Sequence, residues 1–314
     1  MTEPIRTLTV PHLGGIEVGF RMSSEVNRDK PTLVMFNPFT TTADYYLPEF
    51  KSKKLTESLN LLAIEPLGHG KTTALKTENF TYWDSAIMSL QLLEALEIDR
   101  FFALGTSQGG WIAARMTLLA PDKVNIFHRK STLLAVNFSP QAKGMIILGT
   151  SMDSESPKSR ELGCWNGAEA CSGLTTLAEN LQPVDDFEPG QDYCDFLMEV
   201  GFGKAIDEET RDFWSRKIKA TYRGNEGKKK ICMAAVNLAG RDGLHERLPY
   251  ITCPVLWMQG SSDVVYSVAQ AQEDIKRFKN STSTKLVVCE GGVHFLGRTH
   301  GQELQEQLLE FIKL

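Results

Sequence analysis

No apolar run in this 314-residue chain comes near the roughly 18 residues that span a bilayer, and Met1-Thr2-Glu3-Pro4 lacks the basic and apolar blocks of a signal peptide. Nor is there an excess of positive charge. Thirty-four lysines and arginines stand against 39 aspartates and glutamates, a net charge of −5, which offers no basic surface to nucleic acid or to an anionic membrane. The run Lys228-Lys229-Lys230 reads as the solvated start of a helix. The six cysteines, at 164, 171, 194, 232, 253 and 289, form no C-x-x-C pair, and reduced thiols are expected in place of a disulfide framework. No His, Cys or carboxylate cluster has metal-ligand spacing, so no metal or other cofactor is expected. Repeats and heptads are lacking too. The composition, 42% hydrophobic and 23% charged, suits a soluble globular protein, expected in the cytoplasm, and the length allows one large α/β domain with an insertion or two domains. Ile312-Lys313-Leu314 is close to the peroxisomal S-K-L address but has Ile where a small residue belongs, and it reads as the apolar tail of a last helix.

Residues 101–110, FFALGTSQGG, carry the most information. The apolar run Phe101–Leu104 leads into Gly105-Thr106-Ser107-Gln108-Gly109, and a helical pattern follows from Trp111 to a stop at Pro121. This is strand, sharp turn, helix, with a serine at the apex and glycines at −2 and +2. Larger side chains at those two positions would collide as strand and helix close on each other. Such a turn strains the serine backbone and presents its hydroxyl, which points to covalent catalysis by Ser107.

Further strands are expected at Ile16–Met22, Thr32–Phe36, Leu61–Ile64, Met145–Leu148, Val255–Met258 and Lys285–Val288. Helices are expected at Tyr82–Leu96 and Gln302–Ile312. Continuous apolar strands alternating with helices imply a mostly parallel sheet covered on both faces. Residues 152–247 break that rhythm. They open with a polar, Ser-rich stretch and then offer helices at about Asp192–Val200, Asp207–Tyr222 and Lys228–Ala239. Trp165, Phe187, Phe196, Met198, Phe202, Phe213 and Trp214 lie here, either packing onto the sheet or lining an apolar pocket.

A serine hydroxyl needs a base, and the base needs an acid to orient it. Downstream, Asp263 follows the strand at 255–258 and His294 follows the strand at 285–288, each just past a carboxyl end. In its G-x-S-x-G turn and its Ser, Asp, His order the chain resembles the α/β-hydrolase superfamily from about residue 16 onward, and more loosely fungal hydrolases of secondary metabolism. The resemblance implies an α/β-hydrolase fold, with core 1–151 and 248–314 and a helical cap at 152–247. It implies Ser107 as nucleophile, His294 as general base and then acid, and Asp263 as the orienting acid. Asp153, past the strand at 145–148, is the alternative acid, and His245 and His300 are the other histidines weighed. The oxyanion hole is expected from the backbone N–H groups of Gln108 and Phe39. Family members commonly carry His-Gly where this chain has Asn37-Pro38-Phe39-Thr40, which makes the loop stiffer.

The implied activity is that of a cofactor-independent serine hydrolase whose partner is a small apolar ester or lactone. An acyltransferase or C–C bond hydrolase would use the same triad, and a non-catalytic ligand-binding member would be expected to have lost it. Gly68-His69-Gly70-Lys71-Thr72 ends like a phosphate-binding loop but has Glu65 where that loop needs glycine, and it reads as a structural turn. The connection 124–141 is unusually long. It reads either as a retained short intron of 54 nucleotides in frame or as a lineage-specific loop with a strand at 132–138.

Overall fold

The computed structural model describes residues 3–121, 140–179 and 182–313. Among these residues nine strands form one sheet: β1 (Arg6–Val10), β2 (Ile16–Met22), β3 (Thr32–Phe36), β4 (Asn60–Ile64), β5 (Thr73–Ala74), β6 (Arg100–Thr106), β7 (Gln141–Leu148), β8 (Val255–Gly260) and β9 (Thr284–Cys289). The order is β1-β2-β4-β3-β6-β7-β8-β9, with β5 beside β2. From β4 to β9 every pairing is parallel, and β2 pairs antiparallel with β1, β4 and β5.

The central strands β3, β4, β6, β7 and β8 are largely apolar because both faces are buried. Side chains alternate across a strand, so each strand divides between two cores. Val34, Phe36, Leu62, Ile64, Ala103, Ile147 and Trp257 pack on one face with Met88, Leu92 and Ile112 of the helices Tyr82–Ala95 and Gln108–Leu119. Leu33, Met35, Leu61, Ala63, Leu104, Ile146 and Met258 pack on the other with Leu304, Leu308 and Phe311 of the helix Gly301–Phe311. At about 25 cal/mol per Å² of apolar surface removed from water, this double burial is the main force holding the sheet.

The expected strands and both expected core helices are present with ends shifted by a few residues. β7 starts at Gln141, before the expected Met145, with a bulge opposite Phe101–Phe102. Of the insertion 124–141, all but Pro140 and Gln141 falls outside the described residues; Gln141 pairs with Arg100 in the sheet. Between 152 and 247 the described elements are helices. Three longer ones, Gln191–Phe202, Glu208–Thr221 and Gly224–Ala239, lie where helices were expected, and short ones at Pro157–Glu161, Gly167–Ala170 and Ser172–Glu179 had not been foreseen.

The lysine run corrects one expectation. It lies inside the helix Gly224–Ala239, and Lys228 is only 3% exposed. Its Nζ donates to Gln182 O at 2.9 Å, Lys229 pairs with Glu78 at 2.8 Å, and Lys230 donates to Gly70 O at 3.3 Å. Long aliphatic stems carry the ammonium groups of Lys229 and Lys230 to acceptors in the core domain and that of Lys228 to one within the helical segment itself. Among the described residues no helix is long and apolar enough to cross a membrane.

Candidate active site

Ser107 directly follows β6 and caps the helix Gln108–Leu119 with φ 55° and ψ −121°, a conformation that costs a non-glycine residue free energy. The surroundings enforce it. Gly110 N donates to Ser107 O at 2.8 Å, and Thr150 Oγ1 donates to the same oxygen at 2.9 Å. A Cβ on Gly105 would come within 2.0 Å of the Gly109 carbonyl carbon, and one on Gly109 within 2.1 Å of Phe36 O. The two glycines are therefore steric requirements of the turn.

His294 and Asp263 come from the loops after β9 and β8. Ser262 N donates to Gly292 O at 2.9 Å, which stitches the two loops together. His294 Nε2 lies 2.9 Å from Ser107 Oγ, and Nδ1 lies 3.0 and 3.1 Å from the two Asp263 oxygens. A carboxylate only accepts, so Nδ1 donates to it and Nε2 accepts from the hydroxyl. The Asp263 side chain is fully buried, a position that is costly unless its oxygens are hydrogen-bonded. They are. Val265 N and Tyr266 N donate to Oδ1 at 2.8 and 3.1 Å, and Gln259 Nε2 donates to Oδ2 at 2.9 Å.

Asp153 stands apart. Its carboxylate accepts from Ser154 N at 2.7 Å and Ser156 Oγ at 2.5 Å, and it bears on the start of the helix Pro157–Glu161. The other histidines are also engaged elsewhere: His245 Nε2 with Asp274 Oδ1 at 2.7 Å, and His300 Nε2 with Glu290 O at 3.1 Å. Phe39 lies in the loop after β3, and Gln108 is the first residue of the elbow helix. Among the described residues neither backbone N–H meets a protein acceptor.

Gly68–Thr72 is a turn, with His69 N donating to Pro66 O and Thr72 N to His69 O, both at 3.0 Å. Its backbone wraps the buried Glu65 carboxylate, which accepts from Lys71 N at 2.8 Å and Ala43 N at 3.1 Å. His69 points inward against the loops of Phe39 and Gln108. The G-H-G spelling gave no sign of this, because a turn residue's side-chain direction depends on tertiary packing.

The centre is closed off, with Ser107 5% and His294 4% exposed. Tyr266 and Phe295 flank the imidazole at centroid distances of 5.8 and 5.6 Å. The helical segment adds three ties: Tyr193 Oη donates to Thr40 Oγ1 at 3.1 Å, Phe295 N donates to Gly201 O at 2.7 Å, and Phe202 meets the Phe295 ring edge-on at 5.1 Å. Of the segment's apolar residues, Met198 and Trp214 pack into the core, Phe202 reaches the site's edge, and Phe196 and Phe213 are exposed.

Residues 31–147 match the family model for the alpha/beta hydrolase fold. A Stutzerimonas stutzeri (strain A1501) protein assigned as a carbamate hydrolase, RutD, is 28% identical over 103 residues, which are 33% of this chain and 38% of that protein's length. Among solved structures, a carboxylesterase of the thaumarchaeon Nitrososphaera gargenis superposes with a TM-score of 0.71 at 19% identity, covering 98% of both chains. The enol-lactonase of Burkholderia xenovorans LB400 superposes with a TM-score of 0.63 at 16% identity, covering 98% of this chain and all of that one.

Proposed function

On the premise that the chain is an α/β-hydrolase, by fold along its length and by sequence over residues 31–147, we propose that it is a cofactor-independent serine hydrolase of a small apolar ester or lactone. The observation that carries this reading is the unbroken hydrogen-bond chain from Ser107 Oγ through His294 to Asp263. His294 Nε2 takes the hydroxyl proton as Ser107 Oγ attacks the substrate carbonyl. The Phe39 and Gln108 N–H groups meet the oxygen on which charge develops, with the helix dipole behind Gln108. The imidazolium, stabilised by Asp263, protonates the departing alkoxide and leaves an acyl-enzyme. His294 then deprotonates a water that releases the acid.

Residues 152–247 serve as the cap. Their contacts with Thr40 and Phe295 exclude water from the reacting groups, and a dry site strengthens each electrostatic contact within it. The aromatic and aliphatic surroundings favour an apolar acyl group. The names of the relatives, carbamate hydrolase, carboxylesterase and enol-lactonase, all describe acyl transfer to water, which agrees with this reading. A panel of p-nitrophenyl esters of rising chain length and of lactones tests it, with Ser107→Ala as control. Turnover that favours short to medium acyl chains and vanishes in the variant is expected; turnover that survives the variant overturns the assignment.

A further inference from the structure

His69 takes no part in the proton chain, yet it touches both loops of the oxyanion hole. Its Nδ1 lies 3.0 Å from Leu67 O, and its Nε2 lies 3.1 Å from Thr40 N and 2.8 Å from Gln108 Nε2. A carbonyl only accepts and a backbone N–H only donates, so the partners fix the tautomer: Nδ1 carries the hydrogen and Nε2 accepts. Gln108 is oriented independently. Its Oε1 accepts from Tyr82 Oη at 3.2 Å, which leaves its NH₂ for His69 and for Asn37 O at 3.4 Å.

The two donors come from meaningful places. Thr40 directly follows Phe39, and Gln108 is the other residue whose N–H faces the developing charge in the proposed reaction. Thr40 also has φ 53° while fully buried. A β-branched residue holds that conformation only when its surroundings enforce it. The His69 acceptor holds its amide, and Tyr193 holds its hydroxyl.

We propose that His69 is a positioning residue for the oxyanion hole: its neutral imidazole locks the Phe39–Thr40 loop to Gln108, so that the two N–H donors are aligned before substrate arrives. The proposal rests on the serine-hydrolase reading above. Burial, with Lys230 adding to it, pushes the His69 pKa down to about 4, which keeps Nε2 an acceptor at neutral pH. An oxyanion donor acts only where it is pre-aligned; losing one costs about 10²–10³ in kcat, and a misplacement of about 1 Å costs about 10².

The test uses His69→Leu, which has no acceptor, and His69→Gln, whose amide oxygen reaches the region of Nε2. Four quantities are read: kcat and KM on p-nitrophenyl butyrate, inhibition by a trifluoromethyl ketone that forms an oxyanion on serine, and Tm. For His69→Leu, kcat falls about 10²-fold, KM stays within about threefold, and affinity for the ketone falls in step with kcat. His69→Gln regains at least about a tenfold part of that loss. Unchanged kcat and ketone affinity in His69→Leu overturn the proposal, as does equal loss in both variants in proportion to lost folded protein. If His69→Leu does not fold, Gln108→Met removes the same contact from the other side, and an unchanged kcat there has the same consequence. A fluorophosphonate probe on the wild type separates the two claims. No adduct on Ser107 removes the underlying reading, whereas an adduct with unaffected His69 variants removes the His69 role alone.

Discussion

Among the described residues three carboxylate–imidazole pairs occur, His12–Asp84, His245–Asp274 and His294–Asp263, and only the last, the most buried, has a third member. Asp263 holds His294, whose far nitrogen meets Ser107 Oγ. Asp274 holds His245 at 2.7 Å with equal care, accepting also from Gln270 Nε2 at 2.8 Å and Met152 N at 2.7 Å. Among the described residues no hydroxyl meets the other nitrogen of His245. Met152 and His245 sit at the two ends of the helical segment, so the Asp274 pair staples that segment to the helix Val268–Asp274. An acid beside an imidazole is thus a structural device by default. It becomes catalytic machinery only where a strained turn delivers a nucleophile to the free nitrogen.

The comparison breaks most sharply at the nucleophile. Ser107→Ala is expected to remove ester turnover while leaving Tm within a few degrees, read by stopped assay and by thermal unfolding. Next come the acids. Asp263→Asn leaves the size of the side chain unchanged but favours the wrong imidazole tautomer, so kcat falls by about 10⁴. Asp274→Asn keeps kcat within about threefold and costs about 1–3 kcal/mol of stability through a disturbed buried network. If Asp274→Asn abolishes turnover with Tm intact, the two pairs are not distinct in the way described.

His69, buried like His294 but with no acid beside it, sharpens the contrast by its pH behaviour. Its folded pKa of about 4 lies below the ordinary 6.5, so between those values the unfolded chain binds the extra proton. Its contribution is therefore present in full above about pH 6.5, declines as pH falls, and is exhausted below about pH 4, a loss of roughly 3 kcal/mol. Unfolding free energies by urea titration at several pH values check this: His69→Gln flattens that part of the profile. A slope identical to wild type contradicts the neutral, buried assignment. The smallest effect is expected at Asp153, where Asp153→Asn changes kcat by less than about threefold; a loss comparable to that of Asp263→Asn would return it to the role of acid.

Much of this was legible in the chain. Strands buried on both faces show as unbroken apolar runs, and the glycines around Ser107 follow from sterics that any strand–turn–helix elbow imposes. β1 escaped because its residues Arg6, Thr7 and Thr9 are exposed at the sheet edge, and β5 because two residues carry no period. The short helices at 157–179 are specified by local caps, such as Ser156 accepting from Ser159 N, more than by amphipathic spacing. The choice between Asp263 and Asp153 depended on which strand end lies beside β9, a property of sheet order. Lys228 was misjudged because charge suggested solvent, while tertiary packing supplied a buried acceptor; the structural turn at Gly68–Thr72 was read correctly, but the inward direction of its His69 side chain depends on packing that the spelling does not carry.

The central claim is that Ser107 is the nucleophile activated by His294, and covalent labelling tests it most directly. Wild-type protein treated with a fluorophosphonate should carry one adduct, located by peptide mass spectrometry on Ser107, formed far more slowly in Asp263→Asn and absent in Ser107→Ala. Folded wild-type protein that takes up no adduct, or takes it up on another residue, would contradict the account.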